Sequence, residues 1–355
     1  MTDSGTPTAA TLGIVAPNVS AWLGANIPGC QPPFTFELIA GGRSNLTYQV
    51  TDGAGARLVL RRPPVGQVLP TAHDMGREYR IIAALGPAGI PVAPALGLCT
   101  DEAVNGAPFY VMGFVEGHVV RNPEQAQAAL TTEARRRASE DLVDVLVAIH
   151  AVDPDAVGLG GLGRKEGYVV RQLRRWDAQY RASRDEHGGP AMPDLEEAHR
   201  ILSHRVPIQA TTTIVHGDYR LDNTVIAGDG RVRAVLDWEL STLGDPLADL
   251  GATIAYWAEA GDPGTVLESS PTLAPGFFTR REVAQRYADR SGRDISELDY
   301  YVALAYWKLG CIIEGVYARY AAGVMGDPGA DVSDFRRSLD WLASEARGRA
   351  EVVAR

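Results

Sequence analysis

The sequence predicts an α+β protein in two parts: a short strand-rich N-terminal part carrying one helix, then a larger, mainly helical part. Up to about residue 115, apolar residues fall in short runs bounded by Gly, Pro, Asn and Asp, the pattern of strands and turns. Beyond that point they recur at helical spacing. The length of 355 residues allows two domains or one bilobal unit.

A short helix ends near Pro28-Gly29. Phe34–Ala40 alternates as a strand, Asn45–Thr51 is a second, Asp52-Gly53 a turn and Arg57–Arg62 a third, stopped by Pro63-Pro64. A helix follows over Asp74–Leu85, with Tyr79, Ile82 and Leu85 at helical spacing and Gly86-Pro87 at its end. Ala95–Cys99 and Pro108–Val115 complete a sheet of five. Glu116-Gly117-His118 reads as a linker, giving an N-terminal extension over 1–33, a first lobe over 34–115 and a second over 116–355. In that second lobe helices are expected over Thr132–His150, Tyr168–Ser183 and Leu195–Ser203. Strands Thr224–Ile226 and Val232–Leu236 are joined by Gly228-Asp229-Gly230, a hairpin signal. Helices Pro246–Ala260, Thr279–Asp289, Glu297–Ala322 and Val332–Ala346 follow, and Gly261–Gly276 reads as a mobile surface loop.

Composition excludes several classes. Hydrophobic residues at 45% and charged residues at 22% are ordinary globular usage, not that of a disordered chain. With 34 basic and 44 acidic residues the net charge is −10, so the chain has no broad footprint for nucleic acid or an anionic membrane. Cys30, Cys99 and Cys311 are odd in number, far apart and without metal-ligand spacing, which fits reduced thiols and a cytoplasmic location. Met1–Ala10 lacks the pattern of a signal peptide. The richest apolar run, around Tyr300–Ile313, is interrupted by Lys308, so no membrane span is expected.

The chemistry concentrates in Ile214–Leu250. Ile214-Val215-His216-Gly217-Asp218 is followed by Asn223, a hairpin, and Val235-Leu236-Asp237. Two apolar approaches thus each deliver a carboxylate, with an amide five residues after the first. Phosphoryl transfer needs such a set: a carboxylate to orient or deprotonate a hydroxyl, and oxygen ligands for magnesium on a triphosphate. Taken singly, His216 is equally a satisfied core histidine and Asp237 a helix cap; the order and spacing together carry the signal. Asp245 before Pro246 reads as an N-cap with proline at the first helical position.

His216-Gly-Asp218-x4-Asn223 followed by Asp237 resembles the motif of the aminoglycoside phosphotransferase family, over nearly the whole chain from Phe34 on. The fuller strings, His216-Gly-Asp-Tyr-Arg-Leu-Asp-Asn223 and Leu236-Asp-Trp-Glu-Leu-Ser-Thr-Leu-Gly-Asp-Pro246, resemble the kinase-like domain fused to, or encoded near, acyl-CoA dehydrogenases. The resemblance implies a bilobal protein-kinase-like fold, with a five-stranded antiparallel sheet and one helix in the small lobe. It also implies ATP and magnesium as cofactors. Asp218 would be the catalytic base, Asn223 and Asp237 the magnesium ligands, and His216 a loop-ordering residue. Asp249 resembles the family acid that braces the catalytic loop.

In the N-terminal part, Gly41-Gly42-Arg43-Ser44-Asn45 joins two strands; its glycines would let the backbone approach phosphates, or make an ordinary hairpin turn. Val59-Leu60-Arg61 on a strand and Glu78 on a helix occupy the places of the kinase lysine and its glutamate. Arg61 stands where the wider pattern has lysine, an exchange that is not conservative, and Arg62 is then expected to face out. Phe109 to Gly117 resembles the hinge that receives adenine, with Met112 beside the purine and backbone groups near Gly113 and Val115 as its partners.

Gly158-Leu-Gly160-Gly-Leu-Gly163 fits a dinucleotide fingerprint formally, but Val152-Asp-Pro154 precedes it in place of an apolar strand, so it reads as a flexible loop. No Walker-type sequence occurs. Arg164–Arg184 carries seven basic residues against two acidic ones, a net of +5. Arg171, Arg174 and Arg175 there would suit an anionic acceptor such as a CoA thioester, or form a solvated helix face. The expected activity is therefore small-molecule O-phosphotransfer to a hydroxyl, with a hydroxyacyl-CoA preferred and an aminoglycoside as the alternative. A nucleotide- or acyl-CoA-binding pseudokinase is the rival of another class. The oligomeric state is not set by the sequence.

Overall fold

The structure, a computed structural model, describes residues 12–40, 45–65, 74–187, 191–262, 269–321 and 332–354. The chain divides into two compact units: residues 1–116 with 234–239, and residues 117–233 with 240–355.

The first unit contains α1 (Ala16–Asn26), β1 (Thr35–Ala40), β2 (Leu46–Thr51), β3 (Arg57–Arg62), α2 (Met75–Leu85), β4 (Ala95–Cys99), α3 (Glu102–Asn105) and β5 (Phe109–Gly113). The five strands form one sheet in the order β1-β2-β3-β5-β4, with antiparallel neighbours throughout. Asp74 starts α2 by accepting from the Arg77 N–H, and the helix buries Met75, Glu78, Ile81, Ile82 and Leu85.

Alternation along β3 divides its side chains between two faces. Leu58 and Leu60 join Tyr48, Val50, Phe109 and Val111 in a core closed by Val19, Leu23 and Ile27, so the segment expected to be an extension supplies part of that core. Arg62 shares this covered face. Contrary to the expectation that it faces out, it is buried and donates to the carbonyls of Gly13 and Asn105. The reason is that α1 and the preceding turn cover the face opposite Arg61, leaving the guanidinium to satisfy itself on backbone oxygens.

The second unit contains α4 (Pro123–Ala129), α5 (Thr132–Ala151), α6 (Tyr168–His187), α7 (Pro193–His204), β6 (Thr213–Val215), β7 (Thr224–Ile226), β8 (Val232–Val235, ending in the first unit), β9 (Thr242–Gly244), α8 (Pro246–Tyr256), α9 (Arg280–Ser291), α10 (Leu298–Ala321) and α11 (Val332–Val353). β6 pairs antiparallel with β9, and β7 with β8. The short elements α3, α4, β6 and β9 escape a periodicity reading because three to seven residues hold less than two helical turns or a full alternation.

Helix α10 is apolar around most of its circumference because α6, α7, α8 and α11 all pack on it. Close approach of α8 requires Gly251, where a Cβ would come within 2.6 Å of the Tyr301 backbone. Among the described residues no helix is long and apolar enough to cross a membrane. Of the stretch expected to be a mobile loop, residues 269–276 are instead packed: Ser270, Pro271 and Ala274 are buried around a short 3-10 turn. The glycine-rich Gly158–Gly163 segment lies in turns anchored by buried Leu159 and Leu162, with no strand before it.

Candidate active site

In the first unit the candidate groups meet around Arg61. Its guanidinium pairs with Glu78 at 3.1 Å, with Asp237 at 2.5 Å and, more distantly, with Glu239 at 3.8 Å. Glu78 also accepts from Asn45 Nδ2 at 2.9 Å and from the Tyr110 hydroxyl at 3.0 Å. Burial works against the charge of Arg61, but Glu78, Tyr110 and Asp237 outweigh it and hold its pKa above the ordinary value. Burial raises the Glu78 pKa in spite of Arg61, and the nearby Asp237 charge adds to the rise. The two directions agree physically: one guanidinium divided among three carboxylates gains from each of them and compensates none fully.

Asp237 is the one non-glycine with positive φ among the described residues, at +62°. It precedes a single 3-10 turn, Trp238–Leu240, and so is no α-helix cap. Aspartate tolerates this left-handed region better than most residues, and such conformations gather at functional sites.

The second unit builds its cluster on the loop after β6. Asp249 of α8, buried, accepts from the His216 N–H at 2.6 Å and the Gly217 N–H at 2.8 Å, with His150 Nε2 3.3 Å away. The turn needs glycine at 217, where φ is +90° and a Cβ would sit 2.9 Å from the Leu240 carbonyl oxygen. His216 is itself fully buried, its ring edge-on to Tyr219 and its Nδ1 3.3 Å from the Asp218 N–H. Its burial and contacts are those of a core histidine seated within the turn.

The Asp218 carboxylate accepts from Asn223 Nδ2 at 2.8 Å and from Arg220 Nε at 3.2 Å. A second bond from the same amide, 2.8 Å to the Asp218 carbonyl, uses the other donor of Asn223 and leaves its Oδ1 as acceptor. The Tyr256 hydroxyl also bonds Asp218, and its pKa is raised by burial first and then by the Asp218 charge. Asp218 borders a cavity of about 200 Å³ lined also by Gly217, Leu240, Ala252, Tyr256 and Lys308.

Each unit by itself offers oxygen donors of the kind magnesium takes: the Asp237 carboxylate beside Arg61 in the first, and the Asp218 carboxylate with the Asn223 amide in the second. Mg²⁺ takes one or two protein oxygens with substrate phosphates completing its shell. Among the described residues no three His, Cys, Asp or Glu side chains are placed to hold a metal by themselves.

Other expected residues fall elsewhere. Gly41, Gly42, Arg43 and Ser44 lie outside the described residues. Asn45 locks Glu78 and reaches Glu239 at 3.2 Å. Met112 is buried in β5, opposite Val59. The Gly113 N–H is spent on the Pro94 carbonyl at 2.8 Å, and Val115 lies half-buried just past the strand. Arg174 and Arg175 are exposed, and Arg171 donates back to the Arg164 carbonyl; none of the three lines the cavity. Among the described residues the cation that does is Lys308, whose only sequence signal is its solitary position in an apolar helix. Tyr256 carries no sequence signal that sets it apart, and Arg220 lies within the quoted string His216–Asn223 without a role assigned to it.

The chain matches the phosphotransferase enzyme family over residues 35–295. It is 37% identical over 316 residues to acyl-CoA dehydrogenase family member 11 of Gallus gallus, covering 86% of this chain and 39% of the relative. The chain spans roughly a quarter to two fifths of the length of the curated relatives it matches. A solved structure from Ralstonia eutropha, provisionally described as an aminoglycoside phosphotransferase, is 31% identical, with TM-score 0.80 over 95% of this chain and 98% of the other. Spectinomycin phosphotransferase in complex with ADP and spectinomycin shares the fold at TM-score 0.60 and 12% identity, over 95% and 98% of the two chains.

Proposed function

Because the chain belongs to the phosphotransferase enzyme family, we propose that it is an ATP- and magnesium-dependent O-kinase of a small molecule, with a hydroxyacyl-CoA as the preferred acceptor. The observation that carries this reading is Asp218, oriented by Asn223 and Arg220 at the edge of a cavity. A hydroxyl bound there gives its proton to the Asp218 carboxylate as its oxygen bonds the γ-phosphorus. The bond from that phosphorus to the β–γ bridging oxygen breaks, and ADP leaves. Arg61, held by Glu78, would pair with ATP phosphates; backbone groups near Gly113 and Val115, beside Met112, would receive adenine. Asn223 and Asp237 would hold magnesium, which when bound neutralises charge on the transferring phosphoryl group.

The likeness to acyl-CoA dehydrogenase family members supports an acyl thioester acceptor, and the description of the Ralstonia eutropha protein supports an aminoglycoside as second choice. The pseudokinase alternative rests on Arg61 in place of lysine, and the Arg61–Glu78 pair speaks against it. Asp218→Asn should lower turnover on the order of 10²-fold or more while MgATP still binds. The check is ADP release and acceptor mass shift over a panel of hydroxyacyl-CoAs, aminoglycosides, choline and sugars; unchanged turnover removes Asp218 from the reaction.

A further inference from the structure

Lys308 lies on α10 within an otherwise apolar stretch, Tyr300–Leu309. It borders the cavity that Asp218 borders and a smaller one with Gly217, Asp249, Tyr168 and Gln172. Its ammonium has three donors. One makes a long 3.3 Å bond to the Gly217 carbonyl, and the Trp176 ring lies 5.5 Å away as a cation–π neighbour. Its pKa is lowered by burial, against the opposing pull of Asp218 and Asp249. A lysine kept here for stability alone is hard to explain, since desolvating an ammonium costs more than one long bond returns.

Among the described residues the rest of the wall is uncharged apart from Asp218: Gly217, Leu240, Ala252, Tyr256, Ala305, Leu309 and Ile312. A site built for polycations would carry carboxylates beyond the reacting one, whereas here the second charge is positive. The cleft at these residues has a volume of about 200 Å³ and is open on one side, so the character of its wall, and not its size, bears on the acceptor.

We propose that Lys308 is a specificity-determining residue of this cavity, which takes an apolar chain bearing a hydroxyl at Asp218 and an acyl oxygen that accepts from the Lys308 ammonium. This rests on the small-molecule kinase reading and deepens it. The same positive charge rejects polycationic acceptors. An acyl oxygen is common to a free hydroxy acid and to its thioester, so both sources are compared.

The test uses the full chain, wild type and Lys308→Met, with Lys308→Gln as a second variant should the first fail to fold and Lys308→Arg as the conservative one. Acceptors are hydroxyacyl-CoAs over a series of chain lengths, the matching free hydroxy acids, and kanamycin. Phosphorylation is followed by acceptor mass shift, and acceptor binding separately by calorimetry. Removing the ammonium should raise KM for acyl acceptors about 10-fold or more while kcat falls less than 3-fold or so, with Arg restoring part of the loss. Calorimetric Kd should rise by a similar factor. Whichever acyl source shows the KM split is the one the cavity takes. Equal KM and Kd in wild type and both charge-removing variants, or a wild type that prefers kanamycin, overturns the assignment of Lys308. Absence of ADP release with every acceptor instead overturns the kinase reading, and the calorimetric comparison still decides the role of Lys308.

Discussion

Glu78 in the first unit and Asp249 in the second are both carboxylates at 1% exposure, yet their pKa values move in opposite directions. Burial pushes both up. For Asp249 it is outweighed by the His150 hydrogen bond, the electrostatic pull of His150 and His216, and the Gly217 N–H. For Glu78 it is not, although Arg61, Tyr110 and Asn45 all pull the other way. The difference is what each partner is committed to. His150, bonded directly to Asp249, contributes most, with the Gly217 N–H after it, whereas Arg61 is divided among Glu78, Asp237 and Glu239. In the second unit the partners of Asp249 outweigh the cost of its burial; in the first those of Glu78 do not.

Breaking the shared pair should have the largest effect. Arg61→Ala strands the buried Glu78 carboxylate and should cost about 3–5 kcal/mol of stability, read by chemical denaturation at neutral pH. Arg61→Lys should retain most of it, and a loss as large as that of alanine would mean that the planar guanidinium, not its charge, holds the cluster. Next, Asp249→Asn sets an amide against the loop N–H groups and should cost about 1–3 kcal/mol, with a fall in phosphotransfer as Asp218 loses its support.

The acid side sharpens the comparison. A carboxylate with a depressed pKa stabilises the fold above its ordinary value of 3.8, and that contribution is lost as pH falls through the lowered folded value. Asp249→Asn should therefore flatten the acid limb of a stability–pH curve. Glu78 has the reverse sign: its contribution is present below 4.5 and is lost as pH rises through the raised folded value. Glu78→Gln should remove that decline while changing neutral-pH stability by only about 1 kcal/mol. If both variants alter the curve in the same direction, the contrast between the two units is wrong.

Local order was readable wherever one segment sufficed. The five strands, the Asp74–Leu85 helix and the Asp245 cap on Pro246 follow from alternation, helical spacing and capping, and the cap is observed as a bond from the Leu247 N–H to Asp245. The bracing of His216 and Gly217 by Asp249 matches what the motif's resemblance implied. Arg62 was misread because alternation assigns a residue to a face without saying whether that face is covered. Lys308 was legible only as an interruption of an apolar run, since nothing local tells a lysine at a cavity from one at the surface.

By itself the sequence determined the α+β order of the elements, the spacing of Asp218, Asn223 and Asp237, and through them the family. The tertiary structure alone decided that one arginine is shared among three carboxylates, that Arg62 is buried, and that Lys308, with none of Arg171, Arg174 and Arg175, borders the cavity at Asp218. The physical reason is range. Alternation, helical spacing and capping act within a few residues, while charge sharing and desolvation depend on groups such as Arg61 and Asp237 that lie 176 residues apart until the chain folds.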